Sequence, residues 1–129
     1  MRSAKMGTML PKITICVLTY GDYPRLAERV LESIRCRCPR SEYRLVVGAN
    51  SVGVETLRYI QSLETKGAIE RLIVSPVNLY KCPMMRRMFA GIESEFIWWF
   101  DDDSYVSEPN ALPEWLGLAR SGRAFGSET

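Results

Sequence analysis

The stretch Phe96-Ile97-Trp98-Trp99-Phe100-Asp101-Asp102-Asp103 joins five bulky apolar residues directly to three carboxylates. An unbroken run of this kind predicts a strand buried on both faces, as in parallel sheets covered by helices. Three adjacent negative charges repel one another, so the fold must expose them to water or supply a cation. Carboxylate oxygens are the ligands that Mg²⁺ and Mn²⁺ prefer. With the strand continued into the triplet, Asp101 and Asp103 point to one side and Asp102 to the other. A solvated acidic turn is the plainer alternative. The surrounding pattern has to decide.

Upstream of this stretch, strand and helix signals alternate. Residues 13–18 (Ile-Thr-Ile-Cys-Val-Leu) form a first strand, broken by Thr19-Tyr20-Gly21-Asp22. A helix is expected from about Tyr23, with Asp22 as its N-cap and Pro24 in its first turn. Leu26, Ala27, Val30, Leu31 and Ile34 make its apolar face, and Pro39 stops it. Residues 43–47 form a second strand, ended by Gly48-Ala49-Asn50-Ser51. Val54, Leu57, Ile60 and Leu63 mark a second helix that stops near Gly67. Residues 69–75 form a third strand, followed by the loop Val77-Asn78-Leu79-Tyr80-Lys81. A third helix from about Pro83 carries Met84, Met85, Met88, Phe89 and Ile92 on one face, a stripe best read as core filling. Glu95 to Phe100, leading into the acidic triplet, is then the fourth strand. A short helix over residues 113–120 and a strand beginning at Ala124-Phe125-Gly126 follow it.

This β-α-β-α-β-α-β order predicts an α/β fold: an open, mostly parallel sheet with right-handed crossovers and helices on both faces. Residues 1–12 are expected to be a flexible N-terminal tail and residues 13–129 a single domain. The 129 residues can bury about two-thirds of the surface the unfolded chain exposes. At 47% hydrophobic and 25% charged, the composition is that of an ordinary globular protein. The net charge of +2 is spread over mixed signs, which argues against a nucleic-acid partner. No stretch is apolar enough to span a membrane, and the opening residues do not read as a secretory signal.

The chain contains no histidine, which excludes Ser-His-Asp and Cys-His catalysis and histidine-ligated zinc. Its cysteines, at 16, 36, 38 and 82, lack metal or redox spacing. They are expected to be reduced, in a cytoplasmic protein that could sit peripherally on the inner face of a membrane. Arg35, Arg37 and Arg40 would lower a thiol pKa near Cys36 and Cys38.

In open α/β sheets, ligands bind at the carboxyl ends of the strands, where strand order reverses. If the first and fourth strands are neighbours there, Thr19-Tyr20 faces the acidic triplet. That geometry suits a nucleoside diphosphate whose phosphates reach a metal on the last loop. Neither GxGxxG nor GxxxxGK[ST] is present, so dinucleotide binding of the Rossmann type and a P-loop lack support. Lys81, Arg86 and Arg87 offer an alternative phosphate handle, with a solvated helix face as the plainer reading.

The segments ITICVLTYGD, RLVVGANS, SPVNLY and IWWFDDDSYV, in this order, resemble the nucleotide-binding half of family 2 glycosyltransferases, which have a GT-A fold. The resemblance implies sugar transfer from a nucleotide-diphosphate sugar, a UDP-sugar first of all, to a saccharide, lipid or protein acceptor. It implies Mn²⁺ or Mg²⁺ as cofactor, held by Asp103 and Asp101 in an Asp-x-Asp motif. Thr19, Tyr20, Asp22, Asn50, Asn78, Arg86, Asp101 and Asp102 are the implied nucleotide-binding residues. A metal there would stabilise the charge that develops on the leaving diphosphate.

The sequence departs from the family in three places. Gly48 and Ala49 stand where relatives carry a base-reading acid, so Asn50 or Asp22 would have to substitute. Tyr80 stands where relatives carry the glycine of an Asn-x-Gly loop. Most of the acceptor half is absent, and no catalytic base is identified; Glu108 and Glu114 read as surface acids. A truncated nucleotide- and metal-binding module without turnover is therefore the second reading, and a nucleotidyltransferase the third. An unpaired sheet edge would allow a homodimer.

Overall fold

The computed structural model describes residues 11–122. Strands β1 (Ile13–Gly21), β2 (Tyr43–Val52), β3 (Arg71–Ser75) and β4 (Phe96–Asp101) alternate with helices α1 (Pro24–Arg37), α2 (Val54–Thr65) and α3 (Lys81–Phe89). Helix α4 (Ala111–Arg120) follows β4. Every strand pair is parallel, in the order β3-β2-β1-β4. The chain steps outward from β1 to β3 and then returns to the far side of β1. The reversal of strand order therefore lies between β1 and β4.

Strand alternation divides the interior into two cores. Ile13, Ile15 and Val17 of β1 join Val30, Leu31 and Ile34 of α1 and Ile60 and Leu63 of α2 in the larger one. Cys16 and Leu18 face the other way, onto Met84 and Met88 of α3. Helices thus cover both faces, as the alternation predicts. Of the expected stripe, Met84 and Met88 are core with Phe89 and Ile92 packed against them, Met85 is only partly buried, and Ile92 lies beyond the end of the helix. A fully buried aliphatic side chain contributes about 1.5–3 kcal/mol. Against a typical domain stability of about 5–15 kcal/mol, losing Val30, Leu31 and Ile34 together would remove much of the margin.

β4 is the largest departure from expectation. Among the described residues it lies at a sheet edge, and it is not buried on both faces: Phe96 to Trp99 are partly exposed and only Phe100 of this strand is buried. With one flank open, its rings pack on each other and on nearby helices. Trp98 stacks on Trp115 at 5.1 Å, and Phe89 meets Trp99 edge-on at 5.7 Å.

β1 and β2 also run further than their apolar segments. Thr19 pairs with Ala49 and Tyr20 with Asn50, so residues expected in loops belong to the sheet. Ladder hydrogen bonds use the backbone, which is why polar side chains do not end the strands. The register then shifts: Ser51, whose φ is +56°, is passed over and Gly21 pairs with Val52, a bulge at the end of the β1–β2 ladder.

Local expectations fail in two more places. Asp22 does not cap α1; Tyr23 is the N-cap, no side chain caps the helix, and Pro24 opens its first turn. Cys38 is not activated by its arginine neighbours. Burial, and then the Glu42 charge, push its thiol up to about 11, while burial, partly offset by Arg71, pushes Cys16 up to about 12. Both are inert thiols at neutral pH, and all four cysteines are free. Lys12, assigned to the tail, is tied to the sheet by accepting a hydrogen bond from the Phe96 amide at 2.9 Å. The strand expected at residues 124–126 lies outside the described residues. No helix among the described residues is long and apolar enough to cross a membrane.

Candidate functional site

Leu18 pairs with Asp101 across the β1–β4 reversal, which brings the end of β1 against the acidic triplet. β4 ends at Asp101, and a turn begins there, with the Ser104 amide donating to the Asp101 carbonyl at 3.1 Å. The strand does not continue through the triplet, so its alternation does not place Asp103 beside Asp101. Each carboxylate has its own surroundings.

Asp101 accepts from the Trp99 indole N–H at 3.1 Å and pairs with the Lys81 ammonium at 3.4 Å. Lys81 also stands 5.7 Å from the centre of the Trp99 ring. Asp102 accepts from the Tyr20 backbone N–H at 3.2 Å. Burial raises the Asp102 pKa above its ordinary value of 3.8; the charges of Asp103 and Asp101 add to the rise, and the Tyr20 N–H opposes it. The Asp103 side chain is exposed, while its carbonyl accepts from the Arg29 guanidinium at 3.0 Å.

Among the described residues no three carboxylate or thiol groups converge on a point where a metal would bind. Mg²⁺ is commonly held by one or two carboxylates, water and substrate phosphates, and the triplet suits that mode. A ready-made cage of three or more carboxylates it is not.

The other expected residues divide into those that build the site and those that face it. Thr19 is buried, and its hydroxyl donates to the Gly48 carbonyl at 2.8 Å, so its side chain locks β1 to β2. Tyr20 next to it is 48% exposed and stands at the rim. Asn50 is 2% exposed, donates to the Asn78 side-chain oxygen at 2.9 Å, and accepts from the Leu79 amide at 2.9 Å. Asn78 also accepts from the Tyr80 amide at 2.8 Å. Asn50 and Asn78 thus strap the β3–α3 loop onto β2, which leaves Asn50 little capacity to read a base.

Asp22 is exposed beside the start of α2, where Gly53 makes room for it. A methyl group on Gly53 would stand 2.3 Å from an Asp22 carboxylate oxygen. Gly48 has a comparable reason to be glycine: a Cβ there would meet the Met88 sulfur at 2.6 Å and the Met84 methyl at 3.0 Å. Ala49 is fully buried in the larger core. A carboxylate at either position would have to enter a packed apolar interior. Arg86 lies in the last turn of α3, five residues beyond Lys81 and about 7.5 Å further along the helix axis. Lys81, and not Arg86, touches the triplet.

Arg29 is absent from the sequence-based set. Its guanidinium lies 4.4 Å from the centre of the Tyr105 ring while it donates to Asp103, and four residues on, the Ser33 hydroxyl accepts from the Val106 amide at 2.9 Å. One face of α1 therefore holds down the chain after the triplet. The spacing of Arg29 and Ser33 is visible in the sequence; their target is not.

Tyr80 has the most unusual backbone. At φ +67° and ψ 172° it occupies a region populated essentially only by glycine, at a cost of order 1–3 kcal/mol. Tyr20, Tyr23, Val77, Tyr80 and Tyr105, all exposed, lie near the same carboxyl edge of the sheet. Two concavities of about 290 and 370 Å³ open instead near the amino ends of β2 and β1, and they are lined by none of the candidate residues.

A parallel sheet with its reversal between β1 and β4 and helices on both faces is an open α/β, Rossmann-like fold, here with an acidic turn and a polar-aromatic rim at the reversal point. Solved glycosyltransferase structures have a similar shape. PcManGT, a mannosyltransferase from Pyrobaculum calidifontis in complex with GDP-Man and Mn²⁺, superposes with a TM-score of 0.73 at 22% identity, over 87% of this chain and 33% of its own. S. aureus TarS superposes with a TM-score of 0.69 at 17% identity, over 86% of this chain and 20% of its own. Its 1–349 form in complex with UDP-GlcNAc gives 0.63 at 18% identity, over 85% of this chain and 31% of its own. The likeness is one of fold, and the chain spans a fifth to a third of the structures it matches. No protein-family model matches the chain, and no match among curated proteins reaches significance.

Proposed function

We propose that the chain is the donor-binding part of a family 2-like glycosyltransferase. It binds a nucleotide-diphosphate sugar across the carboxyl ends of β1 and β4, for transfer to an acceptor hydroxyl. The observation that carries this reading is the Tyr20–Asp102 hydrogen bond, which sets an exposed aromatic ring beside an acidic turn at the reversal of strand order. The nucleobase lies over Tyr20 with Asp22 at its edge, and the diphosphate lies toward the triplet.

Asp103, whose carboxylate is exposed, and Asp101, which is paired with Lys81, would hold Mn²⁺ or Mg²⁺ there. When bound, the cation neutralises charge on the leaving diphosphate. UDP is the first nucleotide to test and GDP the second, since neighbours of the same fold are seen with each. The proposed setting is cytoplasmic.

A specific observation favours a narrower second reading, donor binding without turnover. Glu108 and Glu114 are both exposed, and Glu114 is hydrogen-bonded to Asn110 at 2.8 Å. Neither is tied by a hydrogen bond or ion pair to the expected nucleotide-binding residues among the described residues. The edge position of β4 also leaves one flank for a second copy of the chain.

Calorimetry with UDP and GDP, each with and without MnCl₂, tests the reading. Binding is expected only with the cation, and Asp103→Asn should weaken it by at least about tenfold. Equal affinity with and without the cation would remove the metal from the site.

A further inference from the structure

Tyr80 combines three properties that its role in the fold does not explain. Its backbone is held at φ +67° and ψ 172°, where a side chain is strained and glycine is not. Its side chain is 71% exposed. Its ring makes no hydrogen bond, aromatic stack or cation contact with any described residue.

A strained residue persists only when its surroundings impose the conformation. Here they do. Asn78 accepts from the Tyr80 amide at 2.8 Å, Asn50 anchors both Asn78 and Leu79, and the Tyr80 carbonyl accepts from the Met84 amide at 3.3 Å to open α3. Nothing in this scaffold uses the phenol ring. A glycine would satisfy every one of these bonds without strain.

The position of Tyr80 suggests what the ring is for. The next residue, Lys81, reaches the Asp101 carboxylate at 3.4 Å, so Tyr80 stands on the α3 side of the acidic turn. Tyr20 marks the β1 side through its amide bond to Asp102. A donor with its base over Tyr20 and its diphosphate at the triplet would carry its glycosyl group toward α3. An aromatic face is a suitable partner for the C–H-lined face of a pyranose, because burying both removes apolar surface from water while leaving the hydroxyls solvated.

We propose that Tyr80 is a donor-contacting residue whose ring packs on the glycosyl group of the bound nucleotide sugar. This rests on the functional reading above and deepens it. The strap Asn50-Asn78 is then the device that holds Tyr80 in its strained, outward pose before the sugar arrives.

The test is calorimetry on the full chain with MnCl₂, using UDP, UDP-GlcNAc, GDP and GDP-mannose as probes, together with thermal melting. Tyr80→Gly and Tyr80→Ala should weaken the better-bound nucleotide sugar by about five- to tenfold and leave the matching nucleoside diphosphate unchanged. Tyr80→Phe should stay within about twofold of the parent, since the ring face is kept. Tyr80→Gly should also melt higher than the parent, so weaker binding cannot be put down to poorer folding. Unchanged nucleotide-sugar affinity in Tyr80→Gly would overturn the role of Tyr80 and leave the donor site standing. Failure of the parent chain to bind any of the four probes would overturn both.

Discussion

The backbone N–H of Tyr20 donates to the carboxylate of Asp102 at 3.2 Å, joining strand ends that lie 82 residues apart in sequence. This bond fixes the middle carboxylate of the triplet against β1. It leaves Asp101 to the α3 side, with Lys81 and Trp99, and Asp103 to solvent. Three identical side chains in a row are thereby differentiated.

Asp102 makes stability depend on pH in a direction opposite to that of a salt-bridged acid. Its pKa is raised on folding, chiefly by burial and further by the charges of Asp103 and Asp101. The folded state therefore holds the proton more tightly than the unfolded chain. Its contribution is most favourable below the ordinary value of 3.8 and is lost as pH rises through the raised pKa. Asp102→Asn keeps an acceptor for the Tyr20 amide without the charge, so the variant should melt above the parent at neutral pH. The gap should close as the pH falls below the ordinary carboxylate range. A gap that persists undiminished in acid would mean that ionisation of Asp102 is not its source.

Asn50→Ala removes two partly buried hydrogen bonds, one to Asn78 and one from the Leu79 amide. At about 1 kcal/mol each, the expected loss is about 2 kcal/mol in urea unfolding. Hydrogen exchange at the Leu79 amide should quicken beyond what global destabilisation explains, because its acceptor is gone. If that amide exchanges as slowly as in the parent, the strap is not what holds the loop.

Gly48→Ala tests how closely α3 sits on the sheet. The new methyl group would meet the Met88 sulfur at 2.6 Å and the Met84 methyl at 3.0 Å, and both methionines are fully buried. Overpacking of this kind costs about 1–3 kcal/mol. Combining it with Met88→Ala should recover part of the loss by opening space at the same point. A Gly48→Ala variant that unfolds at the parent's urea midpoint would show that α3 stands further from β2.

Much of the fold is legible in the sequence, because it rests on local periodicity. The stripe Ala27, Val30, Leu31 and Ile34 identifies a helix, and the runs at residues 13–18 and 96–100 identify strands, without knowledge of any partner. Alternation of the two implies a parallel sheet. Strand ends are less legible: Thr19, Gly48 and Asn50 look like loop residues but sit in the ladder, where the pairing is between backbones.

The acidic run after an aromatic strand was determined by sequence alone, as were the absence of histidine and the order of the elements. Tertiary structure decided the use of each polar group. Thr19 bonds to a carbonyl 29 residues away, Asn50 to a side chain 28 away, and Asp102 to an amide 82 away. Such partners are set by how strands align, which no local pattern encodes. The edge position of β4 and the glycine-like backbone of Tyr80 belong to the same category. An apolar run is equally compatible with a central or an edge strand until its neighbours are placed. A tyrosine is forced to positive φ only once the Asn50–Asn78 strap and the start of α3 fix the chain on both sides of it.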